Sequence, residues 1–505
     1  MPERPYPLST FARSATGVAL MIVAAKCFGF VHKLVLADRA GAGSEVDAYF
    51  TAFGVAFFLF VLVDDIVVPS FLPCFVALRE RDPATAAALL RRTLGAVGSM
   101  LVLVAGAAWM WTEGVVSVVA PGFEGEQVDL AVSLVRWTLP GGVFLGIAGI
   151  TYVVLNARHS FLLPATAAAA WKGAALVLLV ALSPLYGVRG AAMALTGGAA
   201  VQLLLHLRPL WQELRPLGET SADALGASTR RMLWLMAPLA VGTLAAQSSG
   251  FVDNAVASSL DEGSISAVAF ARKVVDVPVL MLPHVLGIVT FPTLIRLASQ
   301  KAWPELEHLL GTLLGTCVVL LFPGVLVFVI APDAVVTLLF RRGAFDAEAA
   351  TQTALVFAWL SSGLIAYAAE ILVLRVFYSL QDTFTPIVVG LVFAGLNVAL
   401  TLALAPRLGI VALPLALVTQ KSGKVVVLLA LLTQRLGSGW IRSSWTAIRI
   451  SGPALLAFSV VFLVGHFAIG HLGASVLLNL VVAVGAGLIY LALLAPTGLH
   501  RMLRA

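Results

Sequence analysis

The chain has 505 residues, of which 60% are hydrophobic and 11% are charged, and its formal net charge is +6. A soluble domain carries about 25% charged residues, so this composition excludes an ordinary soluble protein. The basic residues stand in short segments between apolar runs, which argues against nucleic acid as a partner. We expect an all-α polytopic membrane protein, because its apolar runs of about 20 residues show no strand-like alternation.

Apolar runs recur from one end of the chain to the other. They predict fourteen spans, at about residues 11–37, 46–78, 87–112, 128–155, 161–183, 187–206, 231–258, 264–297, 305–331, 347–378, 384–405, 409–434, 446–470 and 474–495. The second and eighth spans are longer than a bilayer requires and contain prolines, so we expect them to bend or tilt. Lysine and arginine favour the connecting segments on one side, which predicts that both termini are cytoplasmic.

The first six spans recur as the seventh to the twelfth. At an offset of about 220 residues, Gly29-Phe30-Val31 returns as Gly250-Phe251-Val252, and Gly43-Ser44 returns as Gly263-Ser264. Six is an even number, so the two copies have the same orientation, as in transporters built from parallel repeats. The predicted domains are an N-lobe (1–206), an amphipathic cytoplasmic linker (207–230), a C-lobe (231–435) and a C-terminal appendage of two helices (436–505). A purely structural tether is the alternative interpretation of the linker.

Charged residues within the first span are candidates for function, since a charge in hydrocarbon costs several kcal/mol unless it faces protein or water. Lys26 and Lys33 are two helical turns apart on one face, and His32 flanks that face. A basic stripe of this kind would attract an anion such as a phosphate. For Lys33, near the end of the span, snorkelling to the membrane interface is the alternative.

Two further groups of charges lie in the second and eighth spans. Asp64 and Asp65 precede Pro69, and they could pair with the lysines of the first span or bind a proton or cation. On the eighth span, Arg272 and Lys273 stand one turn before Asp276. Either an intrahelical ion pair forms there, or at least one of the two cations faces a cavity.

Other charged and cysteine residues are scattered through the spans. Lys172, Glu370 and Arg375 are expected to be buried, with separate partners for Glu370 and Arg375. The three cysteines, which stand far apart in apolar segments, are expected to be small core residues. The chain has no nucleophile–base constellation, phosphate-binding loop or metal-spaced cluster. We therefore expect a transporter, not an enzyme, driven by an ion gradient or the membrane potential.

Comparison of the two copies adds one contrast. Where the first copy has His32-Lys33, the second has Asp253-Asn254, so the equivalent helix is basic in one lobe and acidic in the other. We expect the first span to hold an anionic head group and Asp253 to hold a coupling cation. A buried acid paired with a nearby cation is the alternative for Asp253.

Several segments, taken in chain order, resemble those of the MurJ/MviN lipid II flippases, which belong to the multidrug/oligosaccharidyl-lipid/polysaccharide exporter superfamily. They include FGFVHKLVLADRAGAGSEVDAYFTAF, VVSVVAPGF, VDNAVASSLDEGSISAVAFARKVVDVP, LLFRRGAFD and VFYSLQDTFTP. The resemblance implies fourteen helices in two lobes, a central cationic cavity, and a groove along the last two helices for a polyprenyl tail. It implies translocation of lipid II from the inner to the outer leaflet of the bacterial cytoplasmic membrane.

The resemblance also implies roles for individual residues. The essential cavity cations of the family fall on Lys26, His32 and Lys273, and an acid of its first hairpin falls on Asp47. The family typically has arginine at those three cation positions. It has another arginine in the second span, where this chain has no cation between about residues 54 and 60.

A sodium site present in some members of the family would fall on Asp253 and Asn397, with Thr401 where a second acid is expected. No other cofactor is expected. The expected partners are a polyprenyl-linked lipid, the surrounding membrane lipids and a cell-wall synthesis complex, with the chain itself a monomer.

Arginine binds pyrophosphate through two parallel hydrogen bonds, whereas lysine is a point charge and histidine is only partly charged near neutrality. Three alternatives to lipid II transport therefore stay open. They are a flippase for another polyprenyl-linked polysaccharide unit, a cation-coupled drug antiporter of the same superfamily, and a non-transporting membrane scaffold. The basic stripe argues against the drug antiporter, since a site for cationic drugs favours acids and aromatic side chains.

Overall fold

The computed structural model describes residues 8–157, 161–215, 218–471 and 476–494, and regular structure in that part of the chain is helical. The α-helices in chain order are α1 (Leu8–Ala40), α2 (Ser44–Leu62), α3 (Val68–Arg79), α4 (Pro83–Met110), α5 (Thr112–Val119), α6 (Glu126–Ala157), α7 (Leu162–Tyr186), α8 (Val188–Leu214), α9 (Ala222–Ser258), α10 (Ser264–Ser299), α11 (Trp303–Ile330), α12 (Pro332–Phe340), α13 (Ala347–Ser362), α14 (Leu364–Ser379), α15 (Phe384–Leu408), α16 (Ala412–Leu436), α17 (Gly439–His471) and α18 (Val476–Leu494). The two chain termini, whose side of the membrane is predicted above, lie outside the described residues.

Within the described ranges, eleven helical stretches are long and apolar enough to cross a membrane. The number becomes twelve if α13 and α14, which meet at an angle of 43°, count as one bent span. Fourteen spans were expected. The difference lies in Phe384–Leu436, which runs as one stretch of 53 residues, and in α18, whose apolar part is short.

Helix lengths recur at the offset of the sequence repeat. The continuous helix Ser44–Arg79 and α10 each have 36 residues, and α4 and α11 each have 28. α7 and α15 each have 25, and each ends at a glycine of the same conformation, with φ 55° and ψ −134° at Gly187 and φ 54° and ψ −134° at Gly409. A positive φ costs glycine little, so the same residue type gives the same turn in both copies.

The repeat also contains short helices that the sequence analysis did not predict. α5 follows α4 after one residue, and α12 follows α11 in the same way. They carry the matching segments Val115-Val116-Ser117 and Val335-Val336-Thr337. The predicted spans ended at about residues 112 and 331, so both short helices fell between spans and were not expected as helices.

The chain divides into two compact units. The first comprises residues 1–265 together with Arg342–Phe345, and the second comprises residues 266–341 and 346–505. In the first unit α2 and α6 pack with their backbones close together. A Cβ on Gly142 would lie 2.3 Å from the carbonyl oxygen of Ala56, so only glycine fits at that contact.

The second unit has two apolar clusters. One joins α10, α11, α14 and α16 through side chains such as Leu294, Leu310, Leu372 and Leu428. The other attaches the last two helices to α11 and α12, and the hydroxyl of Tyr490 on α18 donates a hydrogen bond to the carbonyl of Val319 on α11. The helices beyond the repeat are therefore packed onto the third span of its second copy.

Both long spans with prolines remain helical. In the second span a π-helix, Val63–Val67, replaces one α-helical turn, and the N–H of Val68 bonds to the carbonyl of Val63 five residues earlier. Pro69 has no N–H to offer the carbonyl of Asp65, which favours a local change in the hydrogen-bond register. α10 is continuous through Pro278, Pro283 and Pro292.

One expectation about the cysteines was wrong. All three are free thiols, and Cys74 and Cys317 are buried as expected, but Cys27 is exposed. It lies on α1 beside Lys26, on a helix that buries few of its side chains in the span Gly17–Ala40. An apolar segment of a membrane protein can face lipid, so hydropathy does not indicate burial in the protein core.

Candidate binding and gating sites

The basic stripe of α1 has three different environments. Lys26 is exposed, Lys33 is half-buried, and His32 is 9% exposed. The ammonium of Lys33 lies 3.9 Å from the ring centroid of Phe50, and the rings of Phe53 and Tyr49 lie at 5.1 and 5.9 Å. These rings of α2 form an aromatic cage that stabilises the charge by about 2 kcal/mol once water is excluded.

Asp47 tethers the start of α2 to the segment between α9 and α10. Its side chain is 3% exposed, and Oδ2 accepts a hydrogen bond of 2.8 Å from the backbone N–H of Gly263. Nearby, the N–H of Ala344 donates to the carbonyl of Asp38 at 2.8 Å. A Cβ on Gly343, where φ is 55°, would lie 2.2 Å from the same carbonyl, so glycine is required there.

Two further hydrogen bonds join α9 to the segment around α5. The N–H of Gly122 donates to Ser258 Oγ at 3.1 Å. The side-chain amide of Asn254 donates to the carbonyl of Val119 at 2.9 Å and to the hydroxyl of Thr51 at 3.3 Å. We refer to the hydrogen bonds made by Asp38, Asp47, Gly122 and Asn254 together as the latch. A backbone group takes part in each of them except the contact between Asn254 and Thr51, which joins two side chains.

A cavity of about 400 Å³ opens beside the latch. The acids that line it are Asp47, Glu124, Glu126, Asp261 and Glu262. So many carboxylates in one cavity repel a phosphate, which makes the basic stripe of α1 the more favourable place for the expected anionic head group. Of the predicted site residues, only Asp47 belongs to this cavity.

Asp64 and Asp65 both lie in the π-helix of the second span, and both are exposed in the protein. Pairing with the lysines of α1 was one expected explanation of these acids. Because both carboxylates are exposed, they are accessible to a proton or a cation, which was the other explanation. π-Helical turns are frequent at functional sites.

The second unit holds the cations of α10. Arg272 is exposed, and Lys273 and Asp276 are half-buried. The charges of Arg272 and Asp276 both act on the hydroxyl of Tyr367, which places this part of α10 beside α14. Arg272 and Asp276 therefore belong to a wider polar group that includes a tyrosine.

Glu370 and Arg375 have separate partners, as expected. Glu370 on α14 is 7% exposed, and its two carboxylate oxygens lie 2.8 Å from Lys421 Nζ and 2.7 Å from Lys424 Nζ on α16. The guanidinium of Arg375 lies 5.7 Å from the ring centroid of Phe291. Neither lysine was predicted as a partner, because both are more than 50 residues from Glu370 and a single sequence gives no signal for pairing across helices.

The residues expected to bind sodium lie in different units. Asp253, which is 8% exposed, belongs to the first unit, and the fully buried Asn397 and Thr401 belong to α15 in the second. Asn397 and Thr401 are four residues apart and so share one face of α15. Within the described ranges, no group of three or more histidine, cysteine, aspartate or glutamate side chains could hold a metal ion.

Known proteins resemble this chain in sequence over most of its length. A model of the family described as lipid II flippase MurJ matches residues 36–483. A probable lipid II flippase MurJ from Synechocystis is 26% identical, over 89% of this chain and 87% of its own length. The lipid II flippase MurJ of Burkholderia cenocepacia is 27% identical, over 72% of each chain.

Solved structures show the same fold. A lipid II flippase MurJ in an inward closed conformation aligns with a TM-score of 0.77 at 18% identity, over 95% of this chain and 98% of its own. An inward-facing MATE family multidrug resistance transporter aligns with a TM-score of 0.70 at 14% identity, over 82% and 95%. With its many apolar helices, the chain belongs to the MurJ family of lipid II flippases, which places it in the bacterial inner membrane.

Proposed function

We propose that this protein translocates lipid II from the inner to the outer leaflet of the cytoplasmic membrane. The observation that carries the proposal is the stripe of Lys26, His32 and Lys33 within a span of a chain that belongs to the MurJ family. Cations within a membrane span are costly unless they serve a polar partner, and a pyrophosphate is such a partner. The protein is a transporter and not an enzyme.

Two sets of residues would hold the lipid head group. In the first unit these are the basic residues of α1, with Asp47, Asp64 and Asp65 as the nearby acids of the second span. In the second unit they are Arg272, Lys273 and Asp276 of α10. The tail would lie along α17 and α18, as the family implies.

The proposed topology has fourteen spans with both termini in the cytoplasm. It requires a break at Gly409, which divides Phe384–Leu436 into two spans, and counts α18 as the last. The proposed domains remain an N-lobe (1–206), a linker (207–230), a C-lobe (231–435) and an appendage (436–505). The segment 207–230 contains the end of α8 and the start of α9.

The latch has a mechanistic role in this topology, because it lies at the outer end of α1. Its hydrogen bonds would close the outer side while the lipid enters from the cytoplasmic side. Breaking them would open the outer side for release. Alternating access thus requires that the latch be weak enough to open during each cycle, and a few hydrogen bonds of about 1 kcal/mol net each meet that condition.

Coupling to sodium is proposed at Asp253, Asn397 and Thr401, with the membrane potential as the alternative driving force. A buried carboxylate and neutral oxygen ligands are the donors that hard cations prefer. Binding of sodium to the purified protein, measured as thermal stabilisation that disappears in Asp253→Asn, tests this site. An equal response of the parent to sodium and potassium would contradict it.

A second candidate is a flippase for another polyprenyl-linked polysaccharide unit. The observation that favours it is the presence of lysine and histidine at Lys26, His32 and Lys273, where lipid II flippases typically have arginine. Lysine makes a less specific contact with phosphate than arginine does. A cell-wall synthesis complex would supply either lipid, and the chain is proposed to act as a monomer.

Complementation of a flippase-depleted bacterium tests the proposed function. The parent chain should restore growth, and Lys26→Ala and Lys273→Ala should each abolish growth while the protein is still made. Lys301→Ala, which removes a cation from the turn between α10 and α11, serves as the control and should grow normally. Normal growth of both the Lys26→Ala and the Lys273→Ala variant would contradict the role of these cations.

A further inference from the structure

A fourth cation, Lys172 of α7, packs against the face of α1 that carries Lys26 and Lys33. A Cβ on Gly29 would lie 3.4 Å from Cδ and 3.8 Å from Nζ of Lys172, on α7. Gly29 stands three residues after Lys26 and four before Lys33, so it shares their face. The Lys172 ammonium therefore occupies the notch that the missing side chain of Gly29 leaves between the two lysines.

The register of α1 against α7 is set by a second notch. The ring of Phe28 packs where a side chain on Gly173 would stand, with its Cε2 3.4 Å from that Cβ position. The ammonium of Lys172 also lies 5.5 Å from the ring centroid of Trp171. Each helix thus inserts one side chain beside a glycine of the other, so Lys172 reaches the basic face of α1.

The two helices that form this notch contain few acids. α7 contains no aspartate or glutamate, and the only acid of α1 is Asp38, which lies nine residues beyond Gly29. The Lys33 ammonium is already surrounded by three rings of α2. Lys26 is exposed and Lys172 is half-buried, so a ligand at this notch can contact both ammonium groups.

The number of charges suits a particular ligand. A pyrophosphate that links a polyprenyl chain to a sugar carries two negative charges, one on each phosphoryl group. Two ammonium groups on neighbouring helices can neutralise one charge each, and a phosphate oxygen accepts strong hydrogen bonds from such donors. A monophosphate linked to the same chain would engage only part of such a site.

We propose that Lys172, in the notch at Gly29, forms with Lys26 a subsite between α1 and α7 that binds the pyrophosphate of a polyprenyl-linked substrate. The inference rests on the proposed function and assigns the substrate group that this part of the protein recognises. It also assigns Lys172 a task in selecting pyrophosphate over monophosphate lipids. Lys33 has a different role, because its charge is held by the aromatic cage.

Binding of two probe lipids to the purified protein in nanodiscs tests the subsite. The probes are a polyprenyl pyrophosphate and a polyprenyl monophosphate of equal chain length, each linked to the same sugar, so that they carry two negative charges and one. Lys172→Met should weaken pyrophosphate binding about tenfold or more, the loss expected for a charged hydrogen bond, and should change monophosphate binding less. Lys172→Arg should retain the preference, and Lys301→Met, with the same loss of charge, should bind both lipids as the parent does.

Gly29→Leu provides a variant that keeps every charge. Its side chain fills the notch and displaces the ammonium, so it should reproduce the loss seen for Lys172→Met. Unchanged pyrophosphate binding in either variant would overturn the inference while leaving the proposed function intact. Failure of the parent to bind either lipid would overturn the proposed function and the inference together.

Chemical labelling of the unaltered protein tests the subsite without relying on the folding of a variant. An amine-reactive reagent is applied, and modification of Lys172 is followed by mass spectrometry with Lys301 as the internal reference. Polyprenyl pyrophosphate should protect Lys172 severalfold and leave Lys301 unprotected, and the corresponding polyprenyl alcohol should protect neither. Equal modification of Lys172 with the pyrophosphate and with the alcohol would overturn the proposal.

Discussion

Asp47 offers a direct way to perturb the latch. The Asp47→Ala substitution removes the acceptor of the Gly263 N–H, a buried contact of 2.8 Å. Loss of a charge-assisted hydrogen bond, with a buried donor left without its acceptor, costs about 3 kcal/mol. Asp47→Asn keeps an acceptor at the same position and loses only the charge, which costs about 1 kcal/mol.

These costs apply to the closed state of the latch, because the two partners separate when it opens. A difference of about 1.4 kcal/mol changes an equilibrium tenfold, so Asp47→Ala should favour the open state by about a hundredfold. Asp47→Asn should favour it by about fivefold. The two variants should therefore open the latch to different extents, which a general loss of folding would not produce.

Distances between spin labels at Glu124 and Glu262 provide the assay, because both residues line the cavity beside the latch. The parent should show one short distance, and Asp47→Ala should show mainly a longer one. Asp261→Asn, which removes a charge from the same cavity at an exposed side chain, is the matched control and should resemble the parent. An unchanged distance in Asp47→Ala would refute the gating role of this hydrogen bond.

Three further outcomes are expected. Glu370→Gln leaves its two lysine partners without a carboxylate, and should lower the free energy of unfolding by about 3–5 kcal/mol in detergent unfolding titrations. Phe50→Leu removes the nearest ring of the Lys33 cage and should lower the free energy of unfolding by about 1–2 kcal/mol. The same substitution in a Lys33→Met background should lower it by less. Burial opposes ionisation of Asp382 in the turn before α15, but hydrogen bonds from Thr385 and Arg435 lower its pKa. Its contribution to stability is therefore present above the ordinary carboxyl pKa and lost as the pH falls through the lowered one. Asp382→Asn should thus be less stable than the parent at neutral pH and equally stable at about pH 2, as measured by thermal unfolding.

The helical fold and the positions of the spans follow closely from hydropathy, because long apolar runs have few structural solutions in a bilayer. The repeat was also readable, because glycines such as Gly187 and Gly409 stand where the backbone requires a positive φ. Hydropathy placed the ends of the spans before α5 and α12 correctly, but it did not predict these helices, because each is too short to cross a bilayer. It also gave the wrong environment for Cys27, since facing lipid and facing the core require the same kind of side chain.

The candidate site was less predictable than the fold. Lys26, His32 and Lys33 were identified because charges within spans are rare, but the aromatic cage of Lys33 depends on how α1 packs against α2. The contact of Lys172 with Gly29 depends in the same way on the register of α1 and α7. Packing between helices is set by small differences in shape that a single sequence does not display.

The latch was unpredictable for a different reason. Asp47 was identified from the resemblance to the MurJ family, but its partner is the backbone N–H of Gly263. A backbone donor is present at every residue except proline, so the sequence carries no mark of which one is used. Gly122 and Gly343 were the residues that could have indicated these contacts, because each stands where a Cβ would meet the backbone of another segment.

Measurement of lipid II in the outer leaflet tests the central claim most directly. Cells depleted of their own flippase would express this chain, and lipid II exposed on the outer surface would be labelled with an impermeant reagent. The parent should restore labelling, and Lys26→Ala should not, although the protein is present in the membrane. Absence of labelled lipid II with a folded, membrane-inserted parent would contradict the assignment of this chain as a lipid II flippase.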